Sequence, residues 1–314
     1  MQLSANGFPL DTSPNLFGEL VDSSELIGDG DAIRESLQAN GYVLLRGLIE
    51  ADTVLQARRE ILLKYASIGE IDDAHDVMEA RVGNTDAIGQ VNLRAFSESV
   101  RTGYWYSQVV LNPALMDMYR SLLGGEPRAY DFRWPRFVRP GEGCGFHCDG
   151  PYMNHGTDKL FSSWIPLGRV APEDGALIVL EDSHTNADLH AGYLSKDADA
   201  DGLVWLDDDP VKVQQRYGRR WLTTTFEPGD VLCFSMSTLH GALDNQSPTG
   251  ACRLSSDSRY QLASEPFDER WNGETIVGHG GSRVFYPGLG SWNNADFQDE
   301  WKFVDDRGRL DLQA

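Results

Sequence analysis

Three residues far apart in the chain, His147, Asp149 and His240, are of the types that hold a divalent metal on one face. His147 and Asp149 lie in Gly145-Phe146-His147-Cys148-Asp149-Gly150, where the alternation of an extended strand puts both side chains on the same side. His240, in Ser237-Thr238-Leu239-His240-Gly241, can return to complete the set. Two neutral imidazoles and one carboxylate make a facial triad suited to non-haem Fe(II), with positions left open for a co-substrate and O₂. Cys144 and Cys148 flank the motif, but thiolates favour zinc over iron. The four cysteines include no Cys-x-x-Cys pair, so they read as reduced bystanders in a cytoplasmic protein.

Iron alone does not oxidise an unactivated C–H bond; electrons must be supplied. A 2-oxo acid supplies two, chelating the metal through its 1-carboxylate and keto oxygen and then decarboxylating. Its distal carboxylate needs a fixed cation, for which a guanidinium with two parallel donors is suited. Arg253, opening a strand after the Asn245-Gln246-Ser247-Pro248 turn, is the candidate, and Arg259 on the same strand is its rival. On an unbroken strand Arg253, Ser255, Asp257 and Arg259 face one side.

Candidates for the substrate side are fewer. Arg133, six residues before Arg139 and on the same strand face if no bulge intervenes, could meet an acidic group on the substrate or form a structural ion pair. The stretch from Asn92-Leu93-Arg94 to Gly103-Tyr104-Trp105-Tyr106-Ser107 could form a substrate lid through Tyr104 and Trp105, or simply pack helices on a sheet. His279, in Gly278-His279-Gly280-Gly281, could reach the site from the C-terminal side. His75, His155, His184 and His190 read as loop or surface histidines.

The elements that must position these groups change in texture along the chain. Residues 31–37 read as a short amphipathic helix stopped by Gly41, with a buried strand over Tyr42–Gly47. Further helices are expected over Ala51–Tyr65 and Asn112–Leu123. From Ala129 onward come short strands between Gly/Pro turns: Tyr130–Val138, Gly145–Asp149, Ser162–Leu167, Ala176–Glu181, Asp230–Phe234 and Arg253–Gln261. Their spacing predicts an antiparallel barrel or sandwich, at whose mouth strand-end ligands can converge. The acidic insert between Asp197 and Asp209 lacks the Gly and terminal Glu of a calcium-binding EF-hand loop and reads as a solvated loop over that mouth.

Composition bounds the function. The 314 residues are 41% hydrophobic, enough for a sizeable core. A net charge of -21 excludes the basic footprint that nucleic-acid binding requires. No apolar run reaches the ~18 residues of a membrane span, and the N-terminus has no basic start followed by an apolar run. The expected partner is a small molecule, and the oligomeric state is not read from the sequence.

As an ordered set, these motifs resemble the phytanoyl-CoA dioxygenase family of Fe(II)/2-oxoglutarate oxygenases. The likeness runs from Gly41-Tyr42-Val43-Leu44-Leu45-Arg46-Gly47 through Arg139-Pro140-Gly141, His147-Cys148-Asp149, Trp164-Ile165-Pro166-Leu167 and Gly175-Ala176-Leu177-Ile178-Val179-Leu180. It continues in Pro228-Gly229-Asp230, His240-Gly241, Asn245-Gln246-Ser247 and Arg253 to Arg259-Tyr260.

The resemblance implies Fe(II), 2-oxoglutarate and O₂ as reactants, with His147, Asp149 and His240 on iron. It also implies Arg253 on the distal carboxylate, Trp164 lining the co-substrate pocket and Arg139 touching the same co-substrate. Asp149, where related halogenases carry a small residue, points to hydroxylation or desaturation. Three positions depart from the pattern: Ala242 replaces a common Ser, residues 248–252 lengthen the approach to Arg253, and Glu181-Asp182-Ser183-His184 replaces Pro-Gly-Ser-His.

The implied fold is mainly β, a single domain with a double-stranded β-helix (jelly-roll) core over residues 128–265. A helical N-terminal layer over 1–127 and an extension over 266–314 complete it. Hydroxylation of a small-molecule C–H with release of succinate and CO₂ is the expected reaction. A cupin-like metalloenzyme that does not use 2-oxoglutarate, and a non-catalytic binding protein on the same scaffold, are the alternatives.

Overall fold

A computed structural model gives the architecture; it describes residues 2–83, 91–201, 206–273, 276, 278 and 279. The chain opens with an antiparallel pair, β1 (Ser4–Ala5) and β2 (Phe8–Pro9). Next come β3 (Phe17–Glu19) and β4 (Tyr42–Leu45), then β5 (Pro127–Ala129), β6 (Trp134–Val138) and β7 (Cys144–His147). The remaining strands are β8 (Phe161–Pro166), β9 (Leu177–Leu180), β10 (Trp221–Thr223), β11 (Val231–Ser235), β12 (His240–Ala242) and β13 (Arg253–Leu262).

Apart from the β1–β2 pair, the described strands form two sheets that face each other as the halves of a jelly roll. The major sheet runs β4-β11-β8-β13-β5, with β6 also paired to β13, and the minor sheet runs β3-β10-β9-β12-β7. Pairings are antiparallel except β3 with β10. The expected strand over 130–138 is divided, because the Tyr130 and Phe132 amides turn to the carbonyls of Arg259 and Trp271. Pro135 is tolerated inside β6 because, among the described residues, that strand pairs on one side only, with β13.

Residue parity sorts three apolar layers. Leu44, Trp164, Val179, Leu222 and Phe234 fill the space between the sheets. Val43, Ile165, Val231, Cys233 and Leu254 point out of the major sheet toward helices. These helices are α1 (Gly30–Asn40), α2 (Ala51–Ser67), α3 (Leu93–Arg101), α4 (Tyr104–Val110) and α5 (Pro113–Leu123). α6 (Ala187–Ala191) and α7 (Pro210–Tyr217) cover the outer face of the minor sheet through Leu189 and Val213, against Phe146, Ile178 and Trp221.

Local chemistry sets several boundaries. α1 starts where the Asp29 carboxylate accepts the Ala32 amide and stops at Gly41, whose φ of 79° lets its amide return to the Leu37 carbonyl. Asp182, standing where the resemblance places a glycine, takes a left-handed φ of 65°, a conformation Asp tolerates better than most residues. The region read as a helical layer also gives β3 to the minor sheet and β4 to the major one. Of the aromatic residues expected to pack a C-terminal extension, Trp271 packs against Phe132 and Trp134, while Phe285, Tyr286, Trp292 and Trp301 lie outside the described residues, as does part of the acidic insert (202–205).

The motifs that lie apart in sequence meet in pairs. Asp230 accepts the Gly47 amide at 3.0 Å and the Glu227 amide at 2.9 Å and pairs with Arg46 at 2.6 Å, joining the strand after Gly41 to the Pro228-Gly229 turn. Asn245 donates to the carbonyls of Val138 and Ala251 and accepts the Ser247 amide, while its own carbonyl receives the Gly141 amide. Replacing the buried Asp230 by Ala leaves the Gly47 and Glu227 amides without this acceptor and takes the carboxylate from Arg46, which keeps its bonds to Thr224 and Thr225. We expect a loss of about 2–4 kcal/mol, read as a lower urea midpoint at unchanged slope.

Candidate metal centre

His147 closes β7 and His240 opens β12, and the register makes them direct cross-strand partners with ring centroids 4.3 Å apart. The strands approach closely here: a side-chain carbon on Gly241 would meet Phe146 Cδ1 at 2.8 Å and the Cys144 carbonyl oxygen at 3.0 Å. His147 Nδ1 lies 2.9 Å from the Gly145 carbonyl and His240 Nδ1 lies 3.0 Å from the Thr238 carbonyl. A carbonyl only accepts, so each Nδ1 carries the hydrogen and each Nε2 keeps its lone pair for a metal.

Asp149 reaches the site differently from the strand alternation expected of it. β7 ends at His147, and Asp149 adopts φ −71°, ψ −22° at the entry to a single 3-10 turn, Gly150–Tyr152. The Gly150 amide holds this turn by donating to the Met236 carbonyl at 2.9 Å. Residues two apart on a strand face stand roughly 7 Å from each other; the turn brings Asp149 Oδ1 to 3.8 Å from His147 Nε2. The three ligand atoms all lie within 4.8 Å of one another.

The electrostatics favour the ligating protonation states. Burial, reinforced by the neighbouring His240, pulls the His147 imidazole down to about 4, so it is neutral at physiological pH, as a metal ligand must be. Burial pushes the Asp149 carboxyl upward, but Arg259, then His240, His147 and Ser162, outweigh it and hold the group well below the usual carboxylate range. The donor set of two Nε2 lone pairs and an ionised carboxylate fits a non-haem Fe(II) centre.

β13 pairs with β8 without a bulge from Ser255 to Tyr260, so Arg253, Ser255, Asp257 and Arg259 share its inner face. The two candidate arginines take different places. Arg259 Nη2 donates to both Asp149 oxygens at 2.8 Å and its guanidinium lies over Trp134, 4.4 Å from the ring centroid. Arg253 lines a cavity together with Arg136, Cys144, His147, Trp164 and His240. Its guanidinium donates to the Gly175 carbonyl at 3.1 Å and to Ser255 Oγ at 2.6 Å, and no carboxylate among the described residues bonds it. Burial lowers Arg253 to about 10, partly offset by Asp257, so it stays cationic at neutral pH.

Two further residues of these strands, Arg136 and Asp257, line the cavity without having been assigned a role from the sequence. Arg136 enters the cavity and pairs with Asp257 at 2.5 Å. The signal was the alternation itself, since parity opposes Arg136 to both Arg133 and Arg139 on that stretch. Those two share a face as expected, but it is the face toward the helices. Arg139 is held by Glu70 at 2.7 Å and Glu142 at 3.3 Å and does not line the cavity, and Arg133 donates to Ser107 of α4.

Tyr104 and Trp105 also lie on the helical side of the major sheet. There α4 is anchored by Glu60, which accepts the Tyr104 and Tyr106 amides, and by Tyr106 Oη at 2.7 Å from Ser256. His279 bonds Asp199 and packs 5.6 Å from Tyr152, which in turn stands 6.1 Å from His147, so it lies one ring beyond the metal ligands. In the acidic insert, Asp197 accepts the amides of Asp199 and Ala200, and Asp209 caps α7. All four cysteines are free thiols, and burial raises each of them above the usual range.

The sequence profile of the family described as Phytanoyl-CoA dioxygenase (PhyH) matches residues 37–252. A 1-deoxypentalenic acid 11-beta-hydroxylase of Streptomyces exfoliatus is 24% identical over 271 residues, covering 78% of this chain and 86% of that protein. Among solved structures, the epimerase SnoN in complex with Fe3+, alpha ketoglutarate and nogalamycin RO superposes with a TM-score of 0.52. It is 16% identical and covers 80% of this chain and 94% of its own. EctD from S. alaskensis, solved with 2-oxoglutarate and 5-hydroxyectoine, gives 0.50 at 18% identity, covering 86% and 89%. These likenesses establish the fold.

Calorimetric titration with Mn(II) checks the donor set. His147→Ala and His240→Ala should each weaken binding by more than ~100-fold, beyond the tenfold to hundredfold cost of losing an outer partner. Cys148→Ser should bind within about twofold of the wild type, because its thiol donates to the Ser237 carbonyl on the other side of the strand. Equal Mn(II) affinity in His147→Ala would remove the assignment.

Proposed function

The chain belongs to the phytanoyl-CoA dioxygenase family, and from that membership we propose that it is an Fe(II)/2-oxoglutarate-dependent dioxygenase that hydroxylates an unactivated C–H bond of a small molecule. The observation that carries this reading is the juxtaposition of two unlike parts in one cavity. His147 and His240 line the cavity with Asp149 beside them, the three ligand atoms within 4.8 Å of one another, and the buried Arg253, which no carboxylate among the described residues bonds, lines the same cavity.

In this reading His147 Nε2, His240 Nε2 and Asp149 Oδ1 would hold the iron, with the two imidazoles oriented by the Gly145 and Thr238 carbonyls. Arg253 supplies the cation for the distal carboxylate of 2-oxoglutarate, and its bond to Ser255 Oγ fixes one edge of the guanidinium. Trp164, edge-on to Phe226 at 4.7 Å, is a rigid wall that keeps the co-substrate's methylene chain dry. When bound, iron and 2-oxoglutarate supply the oxidising chemistry, with O₂ and substrate C–H going to hydroxylated substrate, succinate and CO₂. No side chain need act as a general base. Asp149 fills the third metal position, which favours hydroxylation over halogenation, and the hydroxylase relative supports a small-molecule substrate.

Two measurements test the proposal. Protein loaded with Fe(II) under ascorbate should convert 2-oxoglutarate to succinate, slowly without substrate and faster with it. Complete absence of succinate across a panel of small-molecule substrates would instead favour a cupin-type metalloenzyme. Arg253→Met should raise the KM for 2-oxoglutarate roughly 30- to 5,000-fold, the 2–5 kcal/mol cost of truncating one partner of a buried charge pair. Its Mn(II) affinity without 2-oxoglutarate should match the wild type, because Arg253 bonds none of the three metal-binding side chains.

A further inference from the structure

Arg259 is an expensive residue to place where it is. It is 3% exposed, and among the described residues its buried Nε and Nη1 have no hydrogen-bond partner. A guanidinium buried for stability is bonded along both edges, because each unmade bond costs the desolvation of its donor. Here only Nη2 is used, and it is used on one target: it sits 2.8 Å from each oxygen of Asp149. Trp134 covers the guanidinium at 4.4 Å and fixes its plane.

The two carboxylate oxygens are not equivalent. Ser162 Oγ donates to Oδ2 alone. Among the described residues Oδ1 is hydrogen-bonded by Arg259 alone, and it is the oxygen 3.8 Å from His147 Nε2. A free carboxylate can offer a metal both oxygens or swing between them, whereas this one is clamped by a hydroxyl on one oxygen and a cation across the pair. Both clamps come from inner-face positions of neighbouring strands, Arg259 and Ser162 being direct partners in the β13–β8 register.

We infer that Arg259 is a positioning residue which, with Ser162, fixes Asp149 as a one-oxygen ligand through Oδ1. The inference rests on the metal site proposed above. Its consequence is that one more coordination position stays open than a two-oxygen carboxylate would leave, which a co-substrate chelate and O₂ both require.

Co(II) as the probe separates geometry from affinity, since its visible d–d absorption reports coordination number. Arg259→Met removes the cation and keeps the bulk under Trp134. It should bind Co(II) on the order of tenfold more weakly and show a d–d spectrum different in shape and intensity from the wild type. Arg259→Lys, which restores a donor and the charge, should return the wild-type spectrum. A purely structural arginine predicts the opposite pattern: a lower urea midpoint in both variants with the wild-type Co(II) spectrum kept, and that pattern overturns the inference.

Should Arg259→Met fail to fold by circular dichroism, Ser162→Ala carries the test, as it removes only the hydroxyl on Oδ2. An altered Co(II) spectrum supports the clamp and an unaltered one overturns it. If the wild type takes up no Co(II), the metal site and this inference fall together. If the wild type binds and the variants match it, only the inference falls.

Discussion

The pairing of β7 with β12 sets His147 opposite His240, and much of the surrounding structure serves to keep that pairing in register. A slip of one residue would turn one imidazole to the outer face, among the apolar side chains of Phe146 and Trp221. Gly241 permits the close approach, and the irregularity between His240 and Ala242 is where the ladder yields. The loop before β12 is tied from two directions. Thr238 donates its hydroxyl to the Gly41 carbonyl at 2.6 Å, and the Leu239 amide donates to Ser183 Oγ at 3.0 Å. The stop of α1 and the turn at Asp182 therefore act on the same ligand: Thr238, held by Gly41, presents the carbonyl that selects the His240 tautomer.

Charge is distributed with the same economy. The chain carries 48 acidic against 27 basic residues, yet the inner face of β13 presents two arginines around one aspartate, and Arg136 comes from β6. The buried Asp149 is matched locally by Arg259 and the half-buried Arg136 by Asp257, and Arg253 is bonded by no carboxylate among the described residues. Many acids elsewhere serve backbone geometry: Asp29 and Asp209 cap helices and Asp197 closes its own turn. The net charge thus has little to say about the substrate, because the field in the cavity is set by groups within a few ångströms.

Legibility in the sequence followed element length and periodicity. α1, α2, α5, β4, β8, β9, β11 and β13 stood out because each shows enough residues for a helical or strand pattern. β1, β2, β3, β5, β10 and β12, at two or three residues each, carry no periodicity and exist through pairing. In the site, the residue types of the donor set were readable, but the backbone at Asp149 was not, since a strand ending at His147 and one ending at Asp149 have the same sequence. The rivalry between Arg253 and Arg259 was equally closed to the sequence. Both lie on one strand face, and only the third dimension shows that one ends on Asp149 and the other in the cavity. Arg136 was legible as a strand residue, and its opposite parity to Arg133 and Arg139 is what turns it into the cavity.

One departure from the family pattern now has a physical context. Ala242 stands where a serine is common, and it lines the cavity with a methyl group. Ser255 lies on the inner face of β13 two residues beyond Arg253, and its hydroxyl is bonded to Arg253 Nη1. The methyl at 242 offers no hydrogen bond, whereas the Ser255 hydroxyl accepts from Arg253 Nη1 at 2.6 Å and restrains that edge of the guanidinium. Orientation of the cation is thus carried by the strand that bears it, and the opposite wall contributes shape. A cavity arranged in this way depends on the straightness of β13, which the unbroken register with β8 provides.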